Sequence, residues 1–291
     1  MLTDCAAVRS PGKMRNVKPP AKPRTKAKPK AAPRRAARPK KAEPILAARD
    51  LVKEYNTNGA SIRALDGVSI EVAPGSFVSV MGPSGSGKST LMHLLGGLDA
   101  PTSGDVFLEG KKLSGLDDNQ VTLARRGSVG FVFQFFNLVP VLTVAENISL
   151  PLVIAGEAPD AYRQRLDDVI AQVGLEDCRN QLPSQISGGQ QQRTAIARAI
   201  FPEPAVVLGD EPTGNLDTRT SQQILTLLKD LQAAHNQTIV IVTHDPRAAA
   251  FGDEVIYLED GQITSTIALN GTKGGEARAK AVLSWLQKLG A

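Results

Sequence analysis

Nine consecutive residues of this 291-residue chain have the composition needed to hold a phosphate group. They read Gly82-Pro83-Ser84-Gly85-Ser86-Gly87-Lys88-Ser89-Thr90 and fit the phosphate-loop pattern GxxxxGK[ST]. Glycines let the backbone fold around an anion, and the N–H groups at a helix start present positive partial charge to it. We therefore expect Lys88 to reach the β- and γ-phosphates of a nucleotide and Ser89 to ligate Mg²⁺.

Two adjacent acids, Asp210 and Glu211, form a second candidate group. They end the apolar run Ala205–Gly209, which is typical of a buried strand. In this Walker B arrangement we expect Asp210 to hold the Mg²⁺ shell and Glu211 to orient or deprotonate the hydrolytic water. Two acids at a strand end are common in α/β proteins, but together with a phosphate loop they favour nucleotide hydrolysis.

Gln134 and His244 follow two other apolar segments, Val129–Phe133 and Thr238–Val242, that are typical of strands. Ligands bind at the carboxyl ends of the strands in open α/β sheets, so both side chains are candidates for the same site. Gln134 could contact Mg²⁺ or the attacking water, and His244 could sense the γ-phosphate. Taken alone, Gln134 also fits an ordinary polar loop residue.

A glycine-rich helix cap and one aromatic residue complete the candidates. Ser187 can cap a helix whose first turn carries Gly188 and Gly189, which would make a second anion-binding surface. The alternative interpretation is an ordinary glycine-rich helix cap that binds no anion. Tyr55 lies before the phosphate-loop strand, where its ring could stack on a nucleotide base, although a lone tyrosine is more often a surface or core residue.

The elements that must position these residues are predicted from apolar periodicity and turn residues. The predicted strands are Leu46–Val52, Arg63–Leu65, Val68–Val72, Phe77–Met81, Asp105–Leu108, Val129–Phe133, Ala205–Glu211, Thr238–Val242, Glu254–Leu258 and Gln262–Ile267. A polar loop is expected at Asn56–Gly59. Helices are predicted after the phosphate loop, at about 143–173 with an interruption at Leu150-Pro151, from Ser187 to near Pro202, at Thr220–Ala234 and at Glu276–Leu289. The helical segment 143–173 lies between two strands and is read as an insertion, and the last helix is expected to dock on its own domain.

Charge is divided unevenly along the chain, whose formal net charge is +5. Residues 1–44 hold 14 Lys and Arg against 2 acids, so the remainder carries a net charge of −7. Self-repulsion and frequent proline predict a disordered tail. This tail is either an electrostatic arm for anionic lipid or nucleic acid, or a solvated extension from a start codon assigned too early, since Met14 lies within it.

Composition narrows the class of protein further. An apolar fraction of 42% supports a packed core, and an aromatic fraction of 4% argues against a platform for single-stranded nucleic acid. No apolar run approaches the roughly 20 residues of a membrane span, and no signal-peptide region is visible. We therefore expect a soluble chain whose membrane role would need a partner. Cys5 and Cys178 predict free thiols in a reducing cytoplasm.

Assembled in order, these residues resemble the ATP-binding subunit of ABC transporters from about Ile45 to Leu269. The matching motifs are Tyr55 as the adenine-stacking aromatic, Gly82–Thr90 as Walker A, Gln134 as the Q-loop glutamine, Ser187-Gly188-Gly189-Gln190 as the signature motif, Asp210 and Glu211 as Walker B, Asn215-Leu216-Asp217 as the D-loop and His244 as the switch histidine. The runs Gly130–Leu138, Glu146–Ile148 and Glu211–Asp217 look like the lipoprotein-releasing and macrolide-export type.

The resemblance implies an α/β fold: a P-loop NTPase (RecA-like) core with an antiparallel β subdomain and an inserted α-helical subdomain. The ABC ATP-binding domain would occupy 45–270, with the helical subdomain at about 137–187. The disordered basic tail would occupy 1–44 and the C-terminal helix 271–291. The implied ligands are ATP and Mg²⁺, with Ser89, Gln134 and Asp210 around the metal. The implied catalytic residues are Glu211, His244, Gln134 and Lys88.

The resemblance also implies partners and a location. Two copies would associate head to tail, with each ATP held between the Walker A motif of one copy and the signature motif of the other. ATP would close the dimer and hydrolysis would open it, which would move integral-membrane permease subunits. The chain would then be a peripheral protein on the cytoplasmic face of the cell membrane, serving export or extraction of a substrate from the membrane.

Two alternative functions stay open at this point. ATP cycling could signal mechanically through a permease-like partner without transport, as in the cell-division relatives. A nucleic-acid-associated ABC ATPase is the other alternative, suggested by the basic tail. Chromosome-structure and repair ATPases of this superfamily, however, insert long coiled coils between Walker A and Walker B. In this chain Lys88 and Asp210 are only 122 residues apart, with no sustained heptads between them.

Overall fold

The structure of the protein, a computed structural model, describes residues 43–57, 60–272 and 274–290. The predicted basic tail at 1–44 lies outside these residues apart from its last two. Its expected disorder, and its expected contacts with anionic lipid or nucleic acid, therefore stay predictions.

Strands and helices alternate along most of the described chain. The strands are β1 (Leu46–Thr57), β2 (Ala60–Val72), β3 (Phe77–Met81), β4 (Ser103–Leu108), β5 (Lys111–Lys112), β6 (Val129–Phe133), β7 (Val206–Asp210), β8 (Thr238–Val242), β9 (Glu254–Glu259) and β10 (Gln262–Ala268). The helices are α1 (Lys88–Leu95), α2 (Asp118–Ser128), α3 (Val144–Ala155), α4 (Pro159–Val173), α5 (Gly188–Ile200), α6 (Thr218–His235), α7 (Pro246–Ala249) and α8 (Gly275–Leu289). In the part of the chain that the structure describes, no helix combines the length and apolar character needed to cross a membrane.

The larger sheet has the strand order β10-β9-β3-β8-β7-β6 among the described residues. Its strands are parallel except β10, which is antiparallel to β9. Alternate side chains of β3 point to two different cores: Val78 and Val80 pack with Leu91 of α1, and Phe77 packs with Ile224 of α6. Because helices cover both faces of the sheet, β3 and β8 are buried along their whole length. The bounds of β3, β6 and β8 agree with those predicted from the sequence.

The smaller sheet is antiparallel, with the strand order β2-β1-β4-β5 among the described residues. The prediction of a loop from Asn56 to Gly59 is wrong at its start, because Tyr55, Asn56 and Thr57 continue β1 and pair with β2. Backbone pairing, which polar side chains do not prevent, extends this hairpin. The two predicted strands near 63–72 form one strand, β2, in which Gly67 at φ +75° lies at a shift of register.

The inserted helices form a core of their own on α5. Ile148 and Leu152 of α3 and Ile170 of α4 are buried with Phe201, directly after α5. The predicted interruption of α3 at Leu150-Pro151 is wrong, since the helix continues through Pro151 to Ala155. A proline removes one hydrogen bond from the helix, and burial of side chains on both sides of it offsets that loss.

The terminal helix α8 packs on the domain, as expected. Val282 and Leu286 are buried with Tyr257 of β9 and with Met81, the residue directly before the phosphate loop. Leu289, at the end of the same helix, is 40% exposed. The packing of α8 therefore supports the strand from which the phosphate loop starts.

Asp253 joins the start of β3 to α6. Its carboxylate accepts hydrogen bonds from the backbone N–H of Phe77 at 2.9 Å, the Lys229 ammonium at 2.7 Å and the Gln232 amide at 2.6 Å. Burial raises the pKa of Asp253, but the hydrogen bonds from Lys229, Phe77 and Gln232 outweigh this effect and hold the pKa below its usual range.

Replacement of Asp253 by Asn is expected to lower the free energy of unfolding by about 1–3 kcal/mol at neutral pH, because charged hydrogen bonds are lost. A carboxyl whose pKa is lowered on folding stabilises the protein fully above its unfolded pKa of about 3.9, and this contribution is lost as pH falls through the lower folded pKa. Urea unfolding of both proteins from neutral to acid pH measures the difference, which should shrink at acid pH. Asp230→Asn, an exposed change on α6, the helix to which Asp253 is bonded, is the control. An equal loss at every pH would contradict the role given to the carboxylate.

Candidate functional site

Four parallel strands bring the predicted site residues to one edge of the larger sheet. The phosphate loop follows β3, Gln134 follows β6, Glu211 follows β7 and His244 comes shortly after β8. These strands are neighbours in the order β3-β8-β7-β6. Because the carboxyl ends of parallel strands share one edge, residues distant in sequence meet there.

Two glycines allow the phosphate loop to lie close to other backbone. A Cβ on Gly82 would lie 1.9 Å from the carbonyl oxygen of Leu258, and one on Gly87 would lie 2.4 Å from that of Ala64. Gly87 also has φ +100°, which disfavours other residues. The loop leads directly into α1, whose N-cap Gly87 provides no side-chain cap. The first backbone N–H groups of α1 are therefore free of a side-chain cap and suited to an anion.

Lys88 is buried and its ammonium group is turned back onto the loop. It donates to the carbonyl oxygens of Gly82 at 3.0 Å and Pro83 at 2.8 Å. Burial lowers the pKa of Lys88, while the nearby carboxylates of Glu211 and Asp210 act in the opposite direction. A cation held by neutral carbonyl groups can exchange them for phosphate oxygens at little geometric cost.

Ser89 and Asp210 form a pair of oxygen ligands. The Ser89 hydroxyl donates to Asp210 Oδ1 at 3.1 Å, and burial raises the pKa of Asp210. One hydroxyl and one carboxylate fit Mg²⁺, which binds to oxygen atoms and usually keeps positions for substrate phosphates and water. The residues present therefore fit the expected metal.

Glu211 lies against His244. Its Oε1 is 3.0 Å from His244 Nδ1, and the side chain of His244 is 65% exposed. The backbone of Glu211 has φ +45°, an uncommon conformation for a residue with a side chain. Its N–H donates to the carbonyl of Val242 at 3.1 Å, and its carbonyl accepts from the N–H of Gly214 at 3.0 Å. The carboxylate thus projects at the edge of the sheet beside the residues of β7 and β8.

Gln134 forms hydrogen bonds with the D-loop residue Asn215, and it forms none with Ser89 or Asp210 among the described residues. Its amide donates to Asn215 Oδ1 at 3.3 Å, and the Asn215 amide donates to the carbonyl of Gln134 at 2.9 Å. Gln134 follows Phe133, which pairs with Asp210 across β6 and β7. Its expected contact with Mg²⁺ stays a prediction.

The signature residues cap a helix as predicted. The Ser187 hydroxyl accepts from the N–H of Gln190, and the Gln190 side chain accepts from the N–H of Ser187, which is a capping box. A Cβ on Gly189 would lie 2.7 Å from the side chain of Thr220 in α6. These residues line a depression with Asn215 and with Asp217. Ser84, Lys88 and Glu211 instead line the cleft of the phosphate loop, so the two anion surfaces are separate.

Tyr55 lies on β1 and is 38% exposed. Its hydroxyl donates to Asp99 at 3.0 Å, and the ammonium of Lys53 lies 4.9 Å from the ring centre. The ring is therefore held in place, with part of its surface open to solvent. Its expected stacking on adenine stays a prediction.

Two residues at this edge carry no role in the sequence analysis. Ala64 of β2 lines the phosphate-loop cleft, and Gln192 of α5 is fully buried with its amide bonded to the carbonyl of Pro212 at 2.5 Å. No local pattern marks Ala64. Gln192 has one signal, since a glutamine is unusual at a helix position followed by the buried run Thr194–Ala197.

A family model and several relatives match the chain. The model described as "ABC transporter" matches residues 65–214. An ABC transporter ATP-binding protein of Methanocaldococcus jannaschii is 43% identical over 231 residues, which cover 78% of this chain and 98% of that protein. The lipoprotein-releasing system ATP-binding protein LolD of Bordetella pertussis is 42% identical over 220 residues, covering 76% of this chain and 95% of LolD.

The chain corresponds to only part of a third relative. The macrolide export ATP-binding/permease protein MacB of Hyphomonas neptunium is 43% identical over 222 residues, which cover 76% of this chain but 34% of MacB. Among solved structures, a dimeric cassette in a post-hydrolysis state bound to ADP and Pi has a TM-score of 0.72 at 43% identity, covering 78% of this chain and 99% of that one. This likeness confirms the predicted P-loop NTPase fold.

Proposed function

We propose that this chain, which belongs to the ABC transporter family and is an ABC-type ATPase, powers a separate membrane permease. ATP would bind at the phosphate loop, and its hydrolysis would change the association of two copies. The permease would convert that change into export or extraction of a substrate from the membrane. The chain would work as a peripheral protein on the cytoplasmic face of the membrane.

The phosphate loop and Lys88 would bind the β- and γ-phosphates of ATP. The loop N–H groups and the start of α1 supply partial positive charge, and the Lys88 ammonium supplies a full charge once it leaves the carbonyls of Gly82 and Pro83. Ser89 and Asp210 would hold Mg²⁺, which when bound neutralises charge on the phosphate oxygens. Each of these residues lies at the same edge of the sheet, which supports a common role.

Glu211 would act on the water that attacks the γ-phosphate. A carboxylate at the end of β7 beside the phosphate-loop cleft is placed to accept a proton from water or to orient it. His244, bonded to Glu211 and largely exposed, could turn toward the γ-phosphate when ATP is present. Gln134, which follows the neighbouring strand β6, would contact Mg²⁺ or the attacking water from the same edge of the sheet.

A second copy of the chain would complete each site. The glycine-rich start of α5 is an anion-binding surface separate from the phosphate-loop cleft, and a single copy has no use for two. In a head-to-tail pair, Ser187 and Gly189 of one copy would face the ATP bound by the other. The dimeric relative with ADP and Pi supports this arrangement.

The observation that carries the permease partner is a set of exposed apolar side chains in the segment that follows Gln134. The segment from the end of β6 to the end of α3 exposes Phe135 by 74%, Val141 by 77%, Val153 by 52% and Ile154 by 63%. Exposed apolar side chains that form a contiguous patch mark protein–protein interaction sites, and we propose that these four residues contribute to one such patch. A permease helix bound to these side chains would be displaced by any movement of Gln134 or of the inserted helices.

Replacement of Val141 by Asp is expected to release the permease while the isolated subunit still binds ATP. The exposed side chain supports no core, whereas a charge at its position would be desolvated in the complex. The measurement is a pull-down from detergent-solubilised membranes by tagged protein, with the bound proteins identified. Leu283→Asp, an exposed change on α8, is the control and should retain the permease.

The unaltered protein provides the test of the function itself. Recovery of a permease, lost in Val141→Asp and kept in Leu283→Asp, would support the proposal. Recovery of nucleic acid without any membrane protein would contradict it. Recovery of a permease-like protein that carries out no ATP-dependent transport in vesicles would favour the signalling alternative.

A further inference from the structure

We propose that Gln192 is a positioning residue of the hydrolytic site, which holds Glu211 in place from the signature helix. The inference rests on the proposed role of Glu211. Gln192 lies in the second turn of α5, two residues after the signature residue Gln190, and lines neither the signature depression nor the phosphate-loop cleft. It would act only through the backbone segment that carries Glu211.

The contact is a single buried hydrogen bond. Gln192 has no exposed surface, and its amide nitrogen donates to the carbonyl oxygen of Pro212 at 2.5 Å. The amide oxygen has no hydrogen-bond partner among the described residues. Burying a glutamine with one unpaired polar atom costs stability. An apolar residue would fill the same space without that cost, so the donor itself is the feature that distinguishes glutamine here.

Glu211 needs such support because its backbone conformation is unfavourable. It combines φ +45° with a following proline, which itself restricts the conformation of the residue before it. A conformation of this kind persists only where the surroundings hold it. The bonds to Val242 and Gly214 restrain the peptide groups of Glu211 itself, and the bond from Gln192 restrains the next carbonyl along the chain.

The position of α5 is thereby linked to the position of the carboxylate. One end of α5 begins at the cap Ser187, which would face the ATP of the partner copy, and its second turn holds Pro212 beside Glu211. A shift of α5 upon contact with that ATP would therefore reach the carboxylate that acts on the other ATP. Gln192 would in this way make hydrolysis at one site depend on occupation of the second.

The test replaces Gln192 by Met, which has similar length and no amide donor. ATP affinity is expected to stay at the wild-type value, because Gln192 lies outside the phosphate-loop cleft. kcat is expected to fall by about 10- to 100-fold, as expected for displacement of a catalytic group by a fraction of an ångström to one ångström. The dependence of the rate on ATP concentration should also lose cooperativity.

Gln237→Met is the matched control. Gln237 donates to the carbonyl of Pro204 at 3.0 Å, just before β7, so the same kind of bond is removed at the opposite end of the same strand. This variant should keep both ATP affinity and kcat. Should Gln192→Met fail to fold, Gln192→Leu offers a second apolar side chain without an amide donor, and the same loss of kcat is expected.

The outcomes separate this inference from the proposed function. Wild-type kcat in a folded Gln192→Met or Gln192→Leu protein would overturn the inference. Parallel losses of ATP affinity and kcat would also overturn it, because they would mean a structural role. An equal fall of kcat in Gln237→Met would also overturn it. Absence of ATP hydrolysis in the wild-type protein with its permease would instead contradict the proposed function.

Discussion

Replacement of Glu211 by Gln is expected to lower kcat for ATP hydrolysis by about 10²- to 10⁴-fold, the usual contribution of a positioned general base. The amide has nearly the same shape as the carboxylate but cannot take a proton from water. ATP affinity should be unchanged, because the phosphate-binding groups are those of the loop and of Lys88. Single-turnover hydrolysis and equilibrium ATP binding, measured on the same preparation, separate the two effects.

Glu203→Gln is the control for this change. Glu203 is exposed and lies before β7, at the end opposite to Glu211. The control should hydrolyse ATP at the wild-type rate. A Glu211→Gln protein with wild-type turnover would mean that another group acts on the water, and a protein that no longer binds ATP would mean that Glu211 serves binding.

Replacement of Lys88 by Ala is expected to weaken ATP binding strongly. Truncating one partner of a buried, hydrogen-bonded charge pair costs about 2–5 kcal/mol, and each 1.4 kcal/mol is about tenfold in affinity. The loss should therefore be at least about 30-fold. It should be smaller for a nucleotide without the β- and γ-phosphates, because Lys88 is expected to contact only these groups.

Titration with ATP and with AMP measures this difference. Lys112→Ala, which removes a surface lysine paired with Asp105 at 2.7 Å, should leave both affinities unchanged. An equal loss for ATP and AMP in Lys88→Ala would show that the loop has collapsed as a whole. Unchanged ATP affinity would contradict the phosphate role of Lys88.

Local sequence patterns predicted the centre of the fold well. β3, β6 and β8 have the predicted bounds, because each is a short apolar run flanked by polar or glycine residues. β3 and β8 are buried in the interior of the larger sheet, whereas β6 ends the described strand order and is only partly buried. The helix starts at Lys88 and Gly188 were equally visible, since a glycine-rich loop precedes Lys88 and the capping residue Ser187 precedes Gly188. Burial on both faces and strong caps are properties of neighbouring residues, and they can be read from the sequence.

Elements at the surface were harder to predict. α2 has no buried residue, so no apolar stripe marks it, although Asp117 and Gln120 form a capping box at its start. β1 continues through Asn56 only because β2 offers a pairing partner. α3 continues through Pro151 because the side chains around it are buried against α5. The first two features depend on local caps and hairpin pairing without an apolar signal, and in α3 a partner distant in sequence decides the local structure.

The candidate site divides in the same way. Lys88, Ser89 and Asp210 follow from motifs, and the structure brings the last two within 3.1 Å. The bond between Gln192 and Pro212, and that between Tyr55 and Asp99, depend on how separate elements pack. A sequence can therefore name the groups that act on a nucleotide, but not all of those that hold them in position.

The molar mass of the Glu211→Gln protein in solution, with and without ATP and Mg²⁺, tests whether two copies share each ATP. We expect a monomer without nucleotide and a stable dimer with it, because each unhydrolysed ATP would join the phosphate loop of one copy to Ser187 and Gly189 of the other. The double variant Glu211→Gln, Ser187→Arg should stay monomeric although each monomer still binds ATP, because the larger side chain would block the surface that faces the ATP of the other copy. A protein that stays monomeric at saturating ATP and Mg²⁺ would contradict the shared site.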